Sequence, residues 1–463
     1  MTIDPSIFKS YDIRAIYPTQ LDEEGISQIT KAIYKFFTEK ISDDRQLNIL
    51  LSYDMRLSGP KLYAAVKTTL LEMGAHLYDA GMTSTPTFYF AVNHYNYDCG
   101  IQVTASHNPP EYNGLKFVIN TPKGLLKIGK PTGMDEIKQM ALSGVGYTPK
   151  FKGTIEEKTG VLEDEVDNAL KIFGNPMIKK FKIVADPANA MGGTYIDALF
   201  EKIPGELIRM NFKLDGSFPA HQPDPLNFDN LKDLQNKVLS EKADLGLAPD
   251  GDGDRLYFID EKGQVVEATK ITSLIAEQML KQYPGSTILF DIRYILGSQK
   301  IVEECGGKSV ITKVGHAYIT EALTETGGVF AGESSGHFYY KATGNAESQV
   351  ATIIAVLKVL SEEGKSLSQI LAKLQRSYES GEFNFKVSNA NEILNKLKDK
   401  YKDGQLNDLD GVAITFSNPT WRFNVRSSNT EPLLRLNVES FEKQLTDTKF
   451  NELKTFILSI AKQ

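Results

Sequence analysis

The chain has 463 residues, 41% hydrophobic and 24% charged, with 52 lysines and arginines against 59 aspartates and glutamates and a formal net charge of −7. That balance excludes a disordered or fibrous chain and makes nucleic acid a poor partner, and no apolar run reaches the roughly 18 residues a membrane helix needs. Cys99 and Cys305 alone provide no disulfide framework and fit a reducing cytoplasm. The opening MTIDPSIFKSYD carries no signal-peptide pattern, and the length predicts three or four domains rather than one core.

In chain order, Tyr11-Asp12-Ile13-Arg14 reads as a polar loop ahead of an amphipathic helix marked by Ile26, Ile29, Ile33, Phe36 and Phe37. Asn48 to Asp54 is an apolar run ending in aspartate, with a helix expected from Gly59-Pro60. The same grammar recurs at Lys182 to Asp186 and at Thr287 to Asp291-Ile292-Arg293, each followed by helical spacing and a glycine-containing strand. Three α/β units of one design are the expected cause. A Gly- and Pro-rich interval from Gly129 to Gly153 punctuates the first unit. Later, Ile353, Ile354, Val356, Leu357 and Leu360 have helical spacing, and Ser361-Glu362-Glu363-Gly364 reads as a polar linker to a smaller α/β unit. The final helix would pack Leu445, Leu453, Phe456, Ile457 and Ile460 on that unit's sheet.

Two stretches carry chemistry. Thr104-Ala105-Ser106-His107-Asn108-Pro109-Pro110 follows the apolar run Cys99 to Val103, and its prolines prevent a helix from starting at Asn108. Ser106 is thus expected on a rigid loop at a strand end, where α/β proteins hold substrates. Farther on, Asp250-Gly251-Asp252-Gly253-Asp254-Arg255 spaces three carboxylates by two residues, so an extended loop converges them. Carboxylates without histidine or cysteine favour Mg2+. An EF-hand is the rival, with Glu261 at loop position twelve, but Arg255 stands where that loop needs glycine and the flanks look like strands. A loop serine beside a Mg2+ site points to a phosphate carried on Ser106. A hydrolase would want a G-x-S-x-G elbow, absent around Ser106, and a histidine base; His107 is expected to point elsewhere.

TASHNPPEYNGLK at 104–116, DGDGDR at 250–255, GESSGH at 332–337 and RSSNTEPLLR at 426–435 together resemble the motifs of the α-D-phosphohexomutase superfamily, in its order and approximate spacing. The similarity is greatest to its phosphomannomutase/phosphoglucomutase branch and runs over essentially the whole chain. It implies an α/β fold: three similar domains with mixed sheets plus a smaller C-terminal α+β domain around a central cleft, with expected bounds 1–147, 148–255, 256–368 and 369–463. It implies reversible phosphoryl transfer between C1 and C6 of a hexose phosphate through phosphorylated Ser106, with one Mg2+ held by that group and Asp250, Asp252 and Asp254. Arg14, Lys116, Arg255 and His316 would serve the reacting end; Arg293, Glu333, Ser335 and His337 the sugar; Arg426, Ser428, Asn429 and Thr430 the distal phosphate. Hexose 1,6-bisphosphate is the implied intermediate and activator, small hexose phosphates the partners, and a monomer or weak homodimer the expected state. The chain departs from the family at Ala15, commonly glycine, and at Asn345-Ala346-Glu347, where relatives carry an acidic pair. A phosphoglucosamine mutase is the alternative, although its terminal loop has Ser-Gly-Thr where this chain has Ser428-Asn429-Thr430; so is a catalytically silent sugar-phosphate sensor, which would not need Ser106 beside three aspartates.

Overall fold

The computed structural model describes residues 3–41, 44–427 and 433–462. They form two compact units, Met1–Val266 with Ser335–Ile370, and Glu267–Ser334 with Leu371–Gln463.

The repeated grammar of the sequence is a repeated piece of structure. In the first unit the strand Asn48–Tyr53 lies parallel between His76–Met82 and Cys99–Val103, and Phe181–Ala185 lies parallel between Gly205–Arg209 and Leu245–Pro249. In the second, Thr287–Asp291 lies parallel between Lys308–Thr312 and Phe330–Gly332. Parallel neighbours need a crossover, supplied by the helices Gly59–Glu72, Gly192–Lys202 and Leu296–Glu304. The aspartate ending each first strand makes the same turn: Asp54, Asp186 and Asp291 accept the backbone N–H two residues on, from Arg56 (3.0 Å), Ala188 (2.9 Å) and Arg293 (2.8 Å). Each third strand then delivers a motif at its C-terminal end, Ser106 after Cys99–Val103, Asp250 after Leu245–Pro249 and Glu333 after Phe330–Gly332. In the first two repeats an antiparallel strand follows, Tyr112–Thr121 and Leu256–Asp260, so the sheets are mixed.

The first sheet is buried on both faces, which is why Asn48–Tyr53 reads as a continuous apolar run. Ile49 and Leu51 join the core under the helices Glu23–Ile41, Gly59–Glu72 and Met134–Ser143, while Leu50 joins Phe88, Val92 and Val161 on the other side. Two expectations fail here. Arg14 is not in a loop: Ile13–Ile16 is a strand pairing Ile13 with Leu115 and Arg14 with Gly114. Four residues are too few to show a period, and the partner strand is remote in sequence. Nor is Ser361 to Gly364 a linker, because the helix Gln349–Glu363 runs through it and ends on Gly364 in a left-handed conformation.

The last sheet is antiparallel, built from Tyr378–Glu379, Phe383–Lys386, Gln405–Asn407, Val412–Ser417, Thr420–Ser427 and Leu433–Ser440. The closing helix Lys443–Ile460 buries Leu453 and Ile457 against it, with Leu445, Phe456 and Ile460 packed alongside, as their spacing predicts. No helix among the described residues is long and apolar enough to cross a membrane.

One buried acid makes stability depend on pH. Glu165, on the helix Val161–Ile172, is 2% exposed and accepts a 2.6 Å hydrogen bond from Thr87 Oγ1. Burial pushes its carboxyl up to about 7. The folded chain therefore holds this proton more tightly than the unfolded one, a contribution complete below the ordinary glutamate value and lost as pH rises through 7, on the order of 3 kcal/mol. Urea titrations across that window should show the wild type losing stability with rising pH relative to Glu165→Gln; parallel curves would refute the assignment.

Candidate active site

Ser106 is 1% exposed and sits at φ +53°, a left-handed conformation that costs a serine about 1–3 kcal/mol. It persists because its surroundings over-determine it. The Ser106 N–H donates to Thr104 Oγ1 (3.0 Å), whose hydroxyl donates to Asp54 (2.6 Å). Arg56, 1% exposed, gives all its remaining reach to the loop's carbonyls: Nη2 to Ser106 (2.7 Å) and Asn108 (2.6 Å), Nη1 to Pro109 (2.8 Å) and Tyr112 (2.9 Å). Its Nε lies 3.4 Å from Asp54. Sequence reasoning missed Arg56, yet a signal existed, because Asp54-Met55-Arg56 repeats the Asp-x-Arg of Asp291-Ile292-Arg293.

The aspartate loop meets this serine directly. Ser106 Oγ is 3.4 Å from Asp250 Oδ2, and the backbones touch so closely at Gly251 that any side chain there would strike the Ser106 carbonyl. The loop's flanks are the strands Leu245–Pro249 and Leu256–Asp260, which rules out an EF-hand. Helix starts aim its carbonyls. Thr85 N–H donates to the Asp252 carbonyl (2.9 Å), Met191 N–H to that of Gly251 (3.1 Å), and Gln349 Nε2 to that of Asp254. The three carboxylates are buried, with ligand oxygens within 4.8 Å of one another. Lys116, reaching from the strand Tyr112–Thr121, bridges Asp252 Oδ2 (2.5 Å) and Asp254 Oδ2 (2.6 Å). Burial works against its ammonium, but Asp252 and Asp254 outweigh it and hold Lys116 well above the ordinary lysine value. One lysine does not neutralise three carboxylates. Burial and the charges of Asp254 and Asp252 push Asp250 well above the usual carboxylate range, and Asp252 Oδ1 accepts no hydrogen bond among the described residues. Buried, oxygen-only and over-charged, the set fits a hard divalent cation.

Around this pair stand the other groups of the first unit. Arg14 Nη1 donates to Asn108 Oδ1 (2.5 Å) and its Nε to Asp12 (2.9 Å). Arg255 Nε lies 3.3 Å from His337 Nε2 and 3.9 Å from Asp250, while His337 approaches Asp254 at 3.3 Å and Ser335 Oγ at 3.0 Å. Glu347 forms a buried ion pair with Lys127. His107 does not turn away: Nδ1 is 3.2 Å from Ser106 Oγ. Burial and then Arg255 hold its ring well below the ordinary histidine value, so it is neutral. It forms no hydrolase relay, since serine and Asp250 (3.9 Å) face the same ring nitrogen, whereas a relay uses both.

The second unit gathers a different set. Arg293 pairs with Asp291 (2.9 Å) and Glu333 (3.3 Å). Glu333 also accepts the Gly315 N–H (3.1 Å), at the N-terminus of the helix His316–Thr326 where His316 stands. Arg426, the penultimate residue of the strand Thr420–Ser427, lies 3.6 Å from Glu382, which also meets Arg435 (3.1 Å) and Arg293 (3.9 Å). Nothing in the sequence signals that carboxylate among three arginines. Ser428, Asn429 and Thr430 lie outside the described residues.

Family models describing the phosphoglucomutase/phosphomannomutase α/β/α domains I, II and III and the C-terminal domain match residues 5–158, 166–263, 267–378 and 382–453. The chain belongs to the phosphoglucomutase/phosphomannomutase family. It is 36% identical to a phosphomannomutase of Methanocaldococcus jannaschii over 99% of this chain and 98% of the relative, and 33% identical to one of Escherichia coli strain K12 over 94% of each. Among solved structures, a phosphoglucomutase/phosphomannomutase family protein of Burkholderia thailandensis superimposes with a TM-score of 0.87 at 28% identity, covering 99% of both chains. Membership makes the chain an enzyme of the phosphomutase class and accounts for the three-fold strand grammar as a family architecture.

Replacing Arg56 with methionine should cost about 3–5 kcal/mol of stability, because Asp54 and four carbonyls lose their buried partner. Turnover in folded protein should fall about a hundredfold as the serine leaves its geometry. Arg56→Lys should recover only part, a point charge being unable to reach four acceptors. Denaturant unfolding with steady-state kinetics checks both, and wild-type turnover in Arg56→Met would contradict the role.

Proposed function

We infer that this chain is a hexose-phosphate mutase that moves a phosphoryl group reversibly between C1 and C6 of mannose and/or glucose phosphate. Phosphorylated Ser106 is the donor and a 1,6-bisphosphate the intermediate. The observation that carries this reading is Ser106 Oγ standing 3.4 Å from Asp250 in a buried, over-charged carboxylate triad bridged by Lys116. A serine built for acyl transfer is activated by a histidine base and has no use for three carboxylates beside it; a phosphoryl carrier would, because they can hold a cation that neutralises the phosphate. Mg2+ on Asp250, Asp252 and Asp254, with an oxygen of the phosphoserine, would neutralise the phosphoryl group and the charge that develops as it transfers.

In the forward step the P–O bond to Ser106 breaks, a new P–O bond forms to the free sugar hydroxyl, and that hydroxyl's proton leaves. The bisphosphate then presents its other phosphate, which returns to Ser106 by the reverse chemistry. Arg14 and Arg255 supply positive charge for the phosphoryl oxygens. Lys116 and His316 would serve as the general acid and base, one taking the proton of the sugar hydroxyl and the other giving one to Ser106 Oγ. Arg293, Glu333, Ser335 and His337 recognise the sugar, and Arg426 with Ser428, Asn429 and Thr430 the phosphate that is not reacting. The names of the phosphomannomutase relatives support the substrate class.

Intact-mass measurement should find one phosphatase-removable phosphoryl group, restored by glucose 1,6-bisphosphate and absent from Ser106→Ala. A serine that cannot be charged would refute the mechanism. Coupled assays with mannose, glucose and glucosamine 1-phosphates should show turnover with the first two; turnover confined to glucosamine 1-phosphate would replace the substrate assignment. Chelation with EDTA should abolish turnover and added Mg2+ should restore it, while full activity after chelation would remove the cation from the account.

A further inference from the structure

The serine loop is held from a second side, by a segment of the second repeat that no sequence motif singles out. After the strand Gly205–Arg209 the chain runs irregularly from Asn211 to the turn at Phe228–Leu231, and on the way it crosses the Ser106 loop and its support. Gly216 passes so close to the backbone around Arg56 that a Cβ would lie 2.6 Å from the Met55 carbonyl and 2.7 Å from the Leu57 nitrogen. Phe218, 6% exposed, places its ring 5.5 Å from the Arg56 guanidinium and packs with Met55, Ala190 and Met191. Gln222 then donates from Nε2 to the His107 carbonyl at 2.5 Å, the peptide immediately after the strained serine.

The segment is itself anchored at several points. His221 Nε2 is 3.2 Å from Asp186, the turn aspartate of the second repeat, which also accepts from Asn211 Nδ2 at 2.9 Å. Asn189 Nδ2 donates to the Lys213 carbonyl (2.8 Å), and Asn230 Nδ2 to the carbonyls of Gln222 and Asp224 (3.0 Å each). Gln222 is therefore presented from a fixed backbone.

We propose that residues 211–228 are a clasp on the phosphoserine loop and that Gln222 is its positioning residue, setting the Ser106 hydroxyl against the aspartate triad without touching substrate. Arg56 fixes the carbonyls of Ser106, Asn108, Pro109 and Tyr112 and leaves that of His107 to the clasp. With Gln222 removed, the 107–108 peptide keeps its N–H bond to the Ala105 carbonyl (3.1 Å) but loses the hold on its own carbonyl, so it can tilt and the left-handed serine can relax toward extended backbone. The proposal rests on the mutase reading for its kinetic consequence only.

The test compares Gln222→Met, which keeps the shape and loses the donor, Gln222→Glu, which sets an acceptor against the carbonyl, and Gln222→Lys, which restores a donor of similar reach. In the full-length enzyme kcat should fall about tenfold in Gln222→Met and further in Gln222→Glu, with KM within about twofold of wild type, and Gln222→Lys should recover most of the loss. Amide hydrogen exchange across 104–112 should quicken in Gln222→Met while the core strands stay unchanged. A part that merely stabilises the fold would lower the melting temperature and leave kcat and local exchange intact, and that result overturns the clasp. The exchange measurement needs no turnover. Faster exchange with an inactive wild type would keep the clasp and discard the mutase reading, whereas an active wild type with unchanged exchange and kcat in Gln222→Met would do the reverse.

Discussion

The first unit depends on one unfavourable arrangement made tolerable: three aspartates brought together in the interior, touching a serine. Three carboxylates at this spacing repel, and burial sharpens the repulsion because water no longer screens it. Lys116 relieves two of them, at 2.5 and 2.6 Å, and leaves Asp250, the one against the serine, with its carboxyl pushed up. A phosphoryl group on Ser106, as the proposed mechanism requires, would add further negative charge at that point. A cation shared between a phosphoserine and the aspartates would relieve that repulsion, which is the part the proposed mechanism gives to Mg2+.

What the fold contributes is placement. Each repeat ends its first strand on an aspartate-closed turn and its third at a motif, so one backbone solution is used three times, to present Ser106, the aspartate loop and Glu333. The N-termini of helices from both repeats of the first unit then aim the aspartate loop through Thr85 and Met191. Such loops, set by rigid elements at the carboxyl ends of parallel strands, are where an α/β protein can vary chemistry without disturbing its core.

Much of this was legible in the sequence because it is local. The two-residue spacing of Asp250, Asp252 and Asp254, the prolines after Ser106 and the recurring apolar runs ending in aspartate all speak within a short window. The supports are not local. Gln222 meets His107 from 115 positions away, Lys116 meets Asp252 from 136, and Arg56 reaches the serine loop from 50. Side chains that act on backbone carbonyls leave no motif, since a carbonyl has no residue type to match. Arg14 reads as a loop residue in the sequence but lies on a strand, because a four-residue strand takes its pairing from a partner remote in sequence. Glu382 among three arginines was invisible for the same reason.

In the proposed mechanism a covalently carried phosphate and a divalent cation share one place. The most direct measurement is the phosphorus resonance of the charged protein during titration with Mn2+, a paramagnetic replacement for Mg2+. The phosphoserine signal should broaden away in proportion to bound Mn2+ up to one equivalent, and Asp252→Asn should weaken that broadening sharply. A phosphoserine signal that stays sharp with one Mn2+ bound would show that cation and phosphate occupy different places, and the mechanism drawn here would be wrong.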